Sequence, residues 1–220
     1  GRDHQGGSVT TVMNFSFSDL SEKAQQRAID DARYSEVDGG YDWWDYVYED
    51  AVRMAALLGI EIDQHDGKPH GYAGPKIYFS GFCSQGDGAC FQGTYRPKSD
   101  AFAAVEAECN DETLISLAKR LTTLNVESTL HHEVKLCYVT VSTYGRYSHS
   151  HTMSATYEYD ADVAETDGAF EDDLLACLRE FADWIYNQLE AEFDYLTSDE
   201  VVRERLIANE YVFDEDGAMI

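Results

Sequence analysis

Residues 133–160 have the sequence EVKLCYVTVSTYGRYSHSHTMSATYEYD. Apolar side chains recur at every second position of its first half, as at Leu136 and Tyr138, with the period that is typical of a strand with one buried face. The segment contains no Pro and many β-branched or aromatic residues, which favours two long strands, Glu133–Thr143 and Tyr147–Asp160. We expect these two strands to pair as an antiparallel hairpin.

A long amphipathic helix is predicted after this hairpin, from Gly168 to Leu196. Its large apolar side chains are spaced by three or four residues: Phe170, Leu174, Leu178, Phe181, Ile185, Leu189, Phe193 and Leu196. Further helices are predicted at 18–34, 43–58, 111–124 and 198–208, and short strands at 60–62 and 210–214. Together these patterns predict an α+β fold, in which helices cover one face of an antiparallel sheet built from two hairpins.

The other predicted hairpin lies earlier in the chain, with strands at 76–82 and 89–95. These strands are separated by Ser84–Gly88 (SQGDG), whose Gly and Asp residues are typical of a tight turn. If Gly86 and Asp87 form a two-residue loop, Cys83 faces Cys90 across the hairpin. If Asp87 and Gly88 form the loop instead, the two thiols are out of register. The sequence leaves both registers, and any pairing of the two thiols, open.

The chain has 220 residues, of which 42 are acidic and 16 are Lys or Arg, so its formal net charge is −26. Such a charge repels phosphate, which excludes direct binding of nucleic acid or of an anionic membrane and indicates basic partners. Hydrophobic residues make up 44% of the chain, which is enough to form a folded core. Residues 1–8 resemble the remnant of a purification tag, and we expect 9–220 to form a single α+β domain.

The histidine and cysteine residues do not predict a metal site. The five Cys residues include no CxxC pair, and we expect free thiols in a reducing cytosol. His149 and His151 share a strand face, but His131 and His132 would lie about 26 Å away, at ~3.3 Å per residue, if the hairpin turned at Gly145-Arg146. Two His residues without a third ligand make half a zinc site. We therefore expect exposed strand histidines, with no metal and no other cofactor.

Residues 77–91, with the sequence IYFSGFCSQGDGACF, resemble the YFSGFxSQGDGAxF block of a family of phage and prophage proteins. Some members of that family are labelled as antitoxins of a toxin–antitoxin stability system. The likeness extends to LSEKAQ at 20–25 and to NEYVFDEDG at 209–217. The resemblance implies a phage origin and a place of action in the cytosol of the bacterial host, and it carries over no catalytic residues.

Acidic residues are concentrated near the end of the chain, where residues 160–220 hold 19 acidic and three basic residues. On the long helix, carboxylates project opposite the apolar stripe, at 100° per residue. Arg179 is the sole cation near them. The candidate partner-binding residues are Asp172, Asp173, Glu180, Asp183, Glu190 and Asp194. A helix of about 27 residues is roughly 40 Å long, so it can present carboxylates over the length of about a dozen base pairs.

These features predict a phage-encoded inhibitor that imitates nucleic-acid charge and blocks the basic groove of a bacterial defence complex, as anti-CRISPR and anti-restriction proteins do. Its mechanism would be steric and electrostatic, with no catalytic residue. An alternative is an antitoxin that neutralises a basic toxin by protein–protein binding. A third hypothesis is a small enzyme that uses the Ser84–Gly88 turn with His residues or carboxylates. An enzyme loses activity when one pocket residue changes, whereas a charge mimic weakens gradually as carboxylates are removed.

Overall fold

The computed structural model describes most of the chain. The described residues are 13–39, 42–67, 73–131, 135–160 and 168–220. They separate into two compact units. The central unit is Trp44–Ala191, and the terminal unit combines the residues up to Trp43 with those from Glu192 onwards. The prediction of a single domain over 9–220 stays a prediction, and residues 1–8 lie outside the described residues.

Helices form much of both units, as the sequence predicts. In chain order they are α1 Glu22–Ala32, α2 Ser35–Asp38, α3 Asp45–Leu58, α4 Ala101–Glu108, α5 Glu112–His131, α6 Gly168–Leu196 and α7 Asp199–Ala208. Helix α6 begins and ends at the predicted residues, and Gly59 ends α3 in the left-handed conformation, with φ of 89°. Helix α4 was not predicted, because its apolar residues form no one-sided stripe.

The strands pair in antiparallel sheets, and the predicted α+β class is confirmed. In chain order they are β1 Phe15–Ser16, β2 Ile60–Ile62, β3 Ile77–Ser80, β4 Gly88–Phe91, β5 Gly93–Tyr95, β6 Leu136–Thr143, β7 Met153–Tyr159 and β8 Val212–Phe213. The central unit holds a four-stranded sheet in the order β2-β5-β6-β7 and a separate β3-β4 pair. The two predicted hairpins therefore do not share one sheet.

Division of the predicted strand 89–95 explains this difference. The strand is interrupted at Gln92, so that β4 pairs with β3 while β5 joins the larger sheet between β2 and β6. A Cβ atom on Gly93 would lie 2.2 Å from the backbone oxygen of Glu61 in β2. Glycine is thus the residue that lets β5 approach β2 this closely.

The register of the β3–β4 hairpin differs from both predicted registers. Cys90 pairs with Tyr78 rather than with Cys83, because the connection between Ser80 and Gly88 has seven residues instead of two. Cys83 lies exposed in this connection, whereas Cys90 is buried in β4, and both thiols are free.

The β6–β7 hairpin also turns later than predicted. Thr143 pairs with Met153, and the nine residues between them form a loop that contains a one-turn 3-10 helix, Ser150–Thr152. The prediction of strand histidines is therefore wrong for His149 and His151, which lie in the loop. His132 lies outside the described residues, and so does the side chain of His131.

The central part of the apolar stripe on α6 forms part of the core of the central unit. Leu174, Leu178, Phe181, Ile185 and Leu189 are all fully buried. Phe181 packs edge-on against Phe91 of β4, with 5.8 Å between ring centroids. Burial of this stripe leaves the opposite side of α6 to face solvent.

Asp111 fixes the start of α5 and one aromatic side chain of α6. One carboxylate oxygen accepts the backbone N–H of Leu114 at 3.0 Å, as an N-cap does. The other oxygen accepts the indole N–H of Trp184 at 2.8 Å, and Trp184 is only 5% exposed. The same carboxylate therefore satisfies two donors that are otherwise costly to bury.

We expect Asp111→Ala to lower the free energy of unfolding by about 2 kcal/mol, with about half from the cap and half from the buried indole donor. Asp111→Asn keeps one acceptor oxygen and should lose about half as much. Urea denaturation followed by Trp fluorescence measures both values. If Asp111→Ala were as stable as the wild type, the indole N–H would have to find another acceptor.

The terminal unit has its own small core around α1 and α7. Its buried residues are Phe17, Leu20, Ala24, Ala28, Ile29, Ala32, Val202, Leu206 and Phe213. The hydroxyl of Ser21 caps α1 by accepting the backbone N–H of Ala24 at 3.3 Å. Gly217 has φ of 88°, and a Cβ atom there would lie 2.1 Å from the backbone oxygen of Ala24. Only glycine therefore fits where the chain end meets α1.

Candidate partner-binding surface

The outer side of α6 in the central unit carries a set of carboxylates that we call the acidic row. Its members are Asp172, Asp173, Asp183 and Glu190. The three Asp residues are exposed and Glu190 is partly buried. None of the four lies within 4.0 Å of a Lys, Arg or His nitrogen among the described residues. The acidic row thus presents carboxylates to solvent without a direct ion-pair partner among those residues.

Two neighbouring charged residues of α6 are engaged within the protein. Glu180 forms an ion pair with Arg120 of α5. Arg179, which the sequence placed beside the carboxylates, donates instead to the backbone oxygen of Met153 in β7 at 2.8 Å. Glu180 is therefore less available to a partner than predicted, and Arg179 is directed to the sheet.

The electrostatic effect of the acidic row reaches nearby tyrosines. Burial raises the pKa of Tyr157, and the Glu171 and Asp172 carboxylates raise it further. Burial also raises the pKa of Tyr186, and Glu190 is the largest charged contributor in the same direction. Ionisation of both phenols is thus disfavoured, which is the behaviour expected where the local potential is negative.

Asp194, the sixth predicted residue, belongs to the terminal unit. Its side chain is exposed. We describe it with that unit and leave it out of the acidic row.

The connection between β3 and β4 is folded by the side chain of Asp87. One carboxylate oxygen accepts the backbone N–H groups of Cys83 at 2.8 Å and Ser84 at 2.6 Å. Converging backbone N–H groups are the usual donors of an anion-binding loop. Here an internal carboxylate occupies that position, so the converging N–H groups stabilise the fold of this connection.

The loop between β6 and β7 brings two predicted histidines together. The rings of His149 and His151 stack, with centroids 5.2 Å apart and an interplanar angle of 17°. The Nδ1 atom of His149 accepts the backbone N–H of His151 at 3.1 Å, so this lone pair is not free for a metal. Within the described part of the chain, no group of three or more His, Cys, Asp or Glu side chains is arranged to hold a metal ion.

The thiols in the core are poorly suited to nucleophilic chemistry. Burial raises the pKa of Cys177 to about 11, and burial also raises the pKa of Cys90. Because the thiolate is the reactive form of cysteine, both thiols are held in their unreactive state at neutral pH.

A family model described as a domain of unknown function, DUF8835, matches residues 43–199. The chain belongs to that family. The DUF8835 match covers the whole central unit, including the acidic row, and begins one residue before that unit does. No curated protein and no solved structure matches the chain significantly.

The helices also bear on membrane association. Among the residues that the structure describes, no helix combines the length and the apolar composition required to cross a bilayer.

Proposed function

We propose that this DUF8835 protein is a phage-encoded inhibitor that binds a basic, nucleic-acid-binding surface of a bacterial defence complex, in the manner of anti-CRISPR and anti-restriction proteins. The observation that carries the proposal is the acidic row. Its carboxylates would take the places of phosphates against Lys and Arg side chains of the target. The site of action would be the cytosol of the bacterial host.

The spacing of the acidic row supports this proposal. Asp172, Asp183 and Glu190 point in directions that differ by only about 20°, at 100° per residue. They extend over about 27 Å, at 1.5 Å per residue. Because the buried stripe holds α6 against the core, the carboxylates keep this line without a partner. A rigid line of charge loses little conformational entropy when it binds.

The small free energy of a single exposed ion pair favours a binding role that depends on many charges. An exposed ion pair is typically worth under about 1 kcal/mol, so no single carboxylate of the acidic row would dominate. Long-range attraction between a chain of charge −26 and a basic groove would act mainly on the association rate.

The antitoxin alternative uses the same surface and differs in the partner. A basic toxin would be captured through the acidic row, and the resemblance of residues 77–91 to proteins labelled as antitoxins favours this possibility. The two functions are therefore distinguished by what the captured protein binds or does.

The test is capture of the partner followed by a competition assay. The full chain is immobilised and exposed to a bacterial lysate at low and at high salt, and the retained protein is then purified. We expect that protein to bind labelled duplex DNA or RNA, and this chain to displace the nucleic acid, less effectively as salt rises. A partner that is a basic toxin without nucleic-acid binding would favour the antitoxin. A partner retained equally at both salt concentrations would contradict both functions.

A further inference from the structure

The β6–β7 hairpin differs in charge from the rest of the molecule. No Asp or Glu occurs from Leu136 to Tyr157, in a chain that has 42 of them. The same segment contains Arg146 and two His residues. An acid-free stretch of this length is unusual in so acidic a protein. The loop between β6 and β7 carries the only charged side chain of this sequence segment, Arg146.

The tip of this hairpin, Tyr144–Tyr147, projects large side chains into solvent. Tyr144 is 61% exposed and Tyr147 is 68% exposed. Arg146 is also exposed and forms no ion pair with a described residue. Exposure of these two tyrosines loses hydrophobic free energy that burial against a partner would recover.

Hydrogen bonds anchor Tyr144, the first residue of the tip, to the rest of the β6–β7 loop. The backbone N–H of Tyr144 donates to the oxygen of Thr152 at 3.0 Å, and the Tyr144 hydroxyl donates to the oxygen of His151 at 3.2 Å. The backbone N–H of Thr152 donates to the oxygen of His149 at 2.9 Å. Gly145 supplies the left-handed turn, with φ of 87°. The start of the tip is therefore fixed within the loop before any partner arrives.

The β3–β4 hairpin contacts the β6–β7 loop immediately after the tip. The hydroxyl of Ser80 donates to the backbone oxygen of Ser148 at 3.1 Å. Gly88 faces His149 so closely that a Cβ atom on Gly88 would lie 2.9 Å from the imidazole Cδ2. Both ends of the β3–β4 connection thus position the loop that bears the tip.

We propose that the tip, Tyr144–Tyr147, is a protein-docking element that places Arg146, flanked by the two tyrosines, into a pocket of a partner protein lined by carboxylate or carbonyl oxygens. Tyr and Arg are the residue types that dominate binding hot spots, and Tyr with Ser and Gly is typical of antibody loops. Arg146 requires oxygen acceptors. A protein pocket supplies a few of them locally, whereas an extended polyanion such as nucleic acid is repelled by the charge of the whole chain.

This inference assigns a second binding element and does not depend on the acidic row. Contacts by the acidic row would be long-range and sensitive to salt. Docking by the tip would bury aromatic surface and a bidentate guanidinium contact, so it should resist salt better.

The experiment uses a photo-crosslinking amino acid, benzoylphenylalanine, in place of Tyr147 in the full chain expressed in bacterial cells. Tyr195 of the terminal unit, which is 59% exposed, receives the same replacement as a matched control. We expect irradiation to link position 147, but not position 195, to a defined site on a host protein. Peptide mapping should place that site beside Asp or Glu side chains.

Adding Arg146→Ala to the position-147 probe should lower the crosslink yield at least tenfold, because truncation of a hot-spot Arg commonly weakens binding by about that factor or more. Arg146 is exposed, so the fold should survive, and circular dichroism checks this. Crosslinks to nucleic acid, to a second copy of the chain, or to nothing above the Tyr195 control would each overturn the proposal. So would a crosslink unaffected by Arg146→Ala. The acidic row stays intact in all these variants, so failure here leaves the proposed inhibitor function standing.

Discussion

Conversion of the acidic row to amides should weaken binding to the captured partner by about 30-fold. The variant combines Asp172→Asn, Asp173→Asn, Asp183→Asn and Glu190→Gln. Each exposed pair is worth about 0.5 kcal/mol, so four pairs amount to about 2 kcal/mol, and 1.4 kcal/mol corresponds to a tenfold change in affinity. Most of the loss should come from slower association, because the removed charges act at long range.

The fold should tolerate these four changes. The buried stripe of α6, which includes Phe181 and Ile185, is untouched, and amides are close in shape to the carboxylates that they replace. Surface plasmon resonance against the purified partner, over a salt series, measures both rates. The difference between wild type and variant should shrink as the Debye length falls below about 10 Å.

A matched variant separates the position of the charges from their number. Glu200→Gln, Glu204→Gln, Glu215→Gln and Asp216→Asn also remove four exposed carboxylates, all from the terminal unit. This control should lose only a few-fold in affinity. Equal losses in the two variants would show that net charge alone acts, and no loss in either would mean that the outer side of α6 is merely solvated.

Regular spacing of apolar residues along the sequence made many of the helices and strands predictable. Helix α6 could be placed to the residue because its apolar spacing persists for eight turns and then stops. The cap at Ser21 and the left-handed Gly59 are local features, and both follow from the chemistry of a few neighbouring residues.

Hairpin registers could not be predicted, because they depend on loops whose conformation is set by side-chain contacts. Asp87 binds the backbone of Cys83 and Ser84 and thereby stabilises a seven-residue connection where a two-residue turn is predicted. A longer loop shifts every cross-strand pair, so the partner of Cys90 changed as well. The sequence pattern of the strands carries no information about this choice.

The candidate site was predictable in its position on α6 but not in which charges remain free. Helical geometry places Asp172 and Glu180 on the solvent side, but only the fold shows that Arg120, 60 residues away in the chain, reaches Glu180. The exposed tip Tyr144–Tyr147 was not predicted as a binding element, because acidic residues dominate the charge pattern of the sequence. The acid-free run around Arg146 was the signal that could have found it.

The two glycines of the Ser84–Gly88 segment should respond very differently to substitution. Glycine can adopt positive φ without strain, but neither of these two does so. A Cβ atom on Gly86 meets nothing within 4 Å, whereas one on Gly88 lies 2.9 Å from the ring of His149 and 3.2 Å from its Cα atom. Gly88 is therefore required for close packing against the β6–β7 loop, and Gly86 is not.

We expect Gly88→Val to lower the free energy of unfolding by about 3 kcal/mol, the upper end of the usual cost of overpacking, because the clash involves backbone as well as side chain. Gly86→Val, the matched control in the same loop, should change stability by less than about 0.5 kcal/mol, as exposed substitutions usually do. Urea denaturation measures both. Because His149 supports the docking tip, Gly88→Ala, a milder change, should also lower the crosslink yield at position 147 while Gly86→Ala leaves it unchanged. Equal stability of the two Val variants would mean that the β6–β7 loop yields to Gly88 without cost, and the support of the tip by the β3–β4 hairpin would then be wrong.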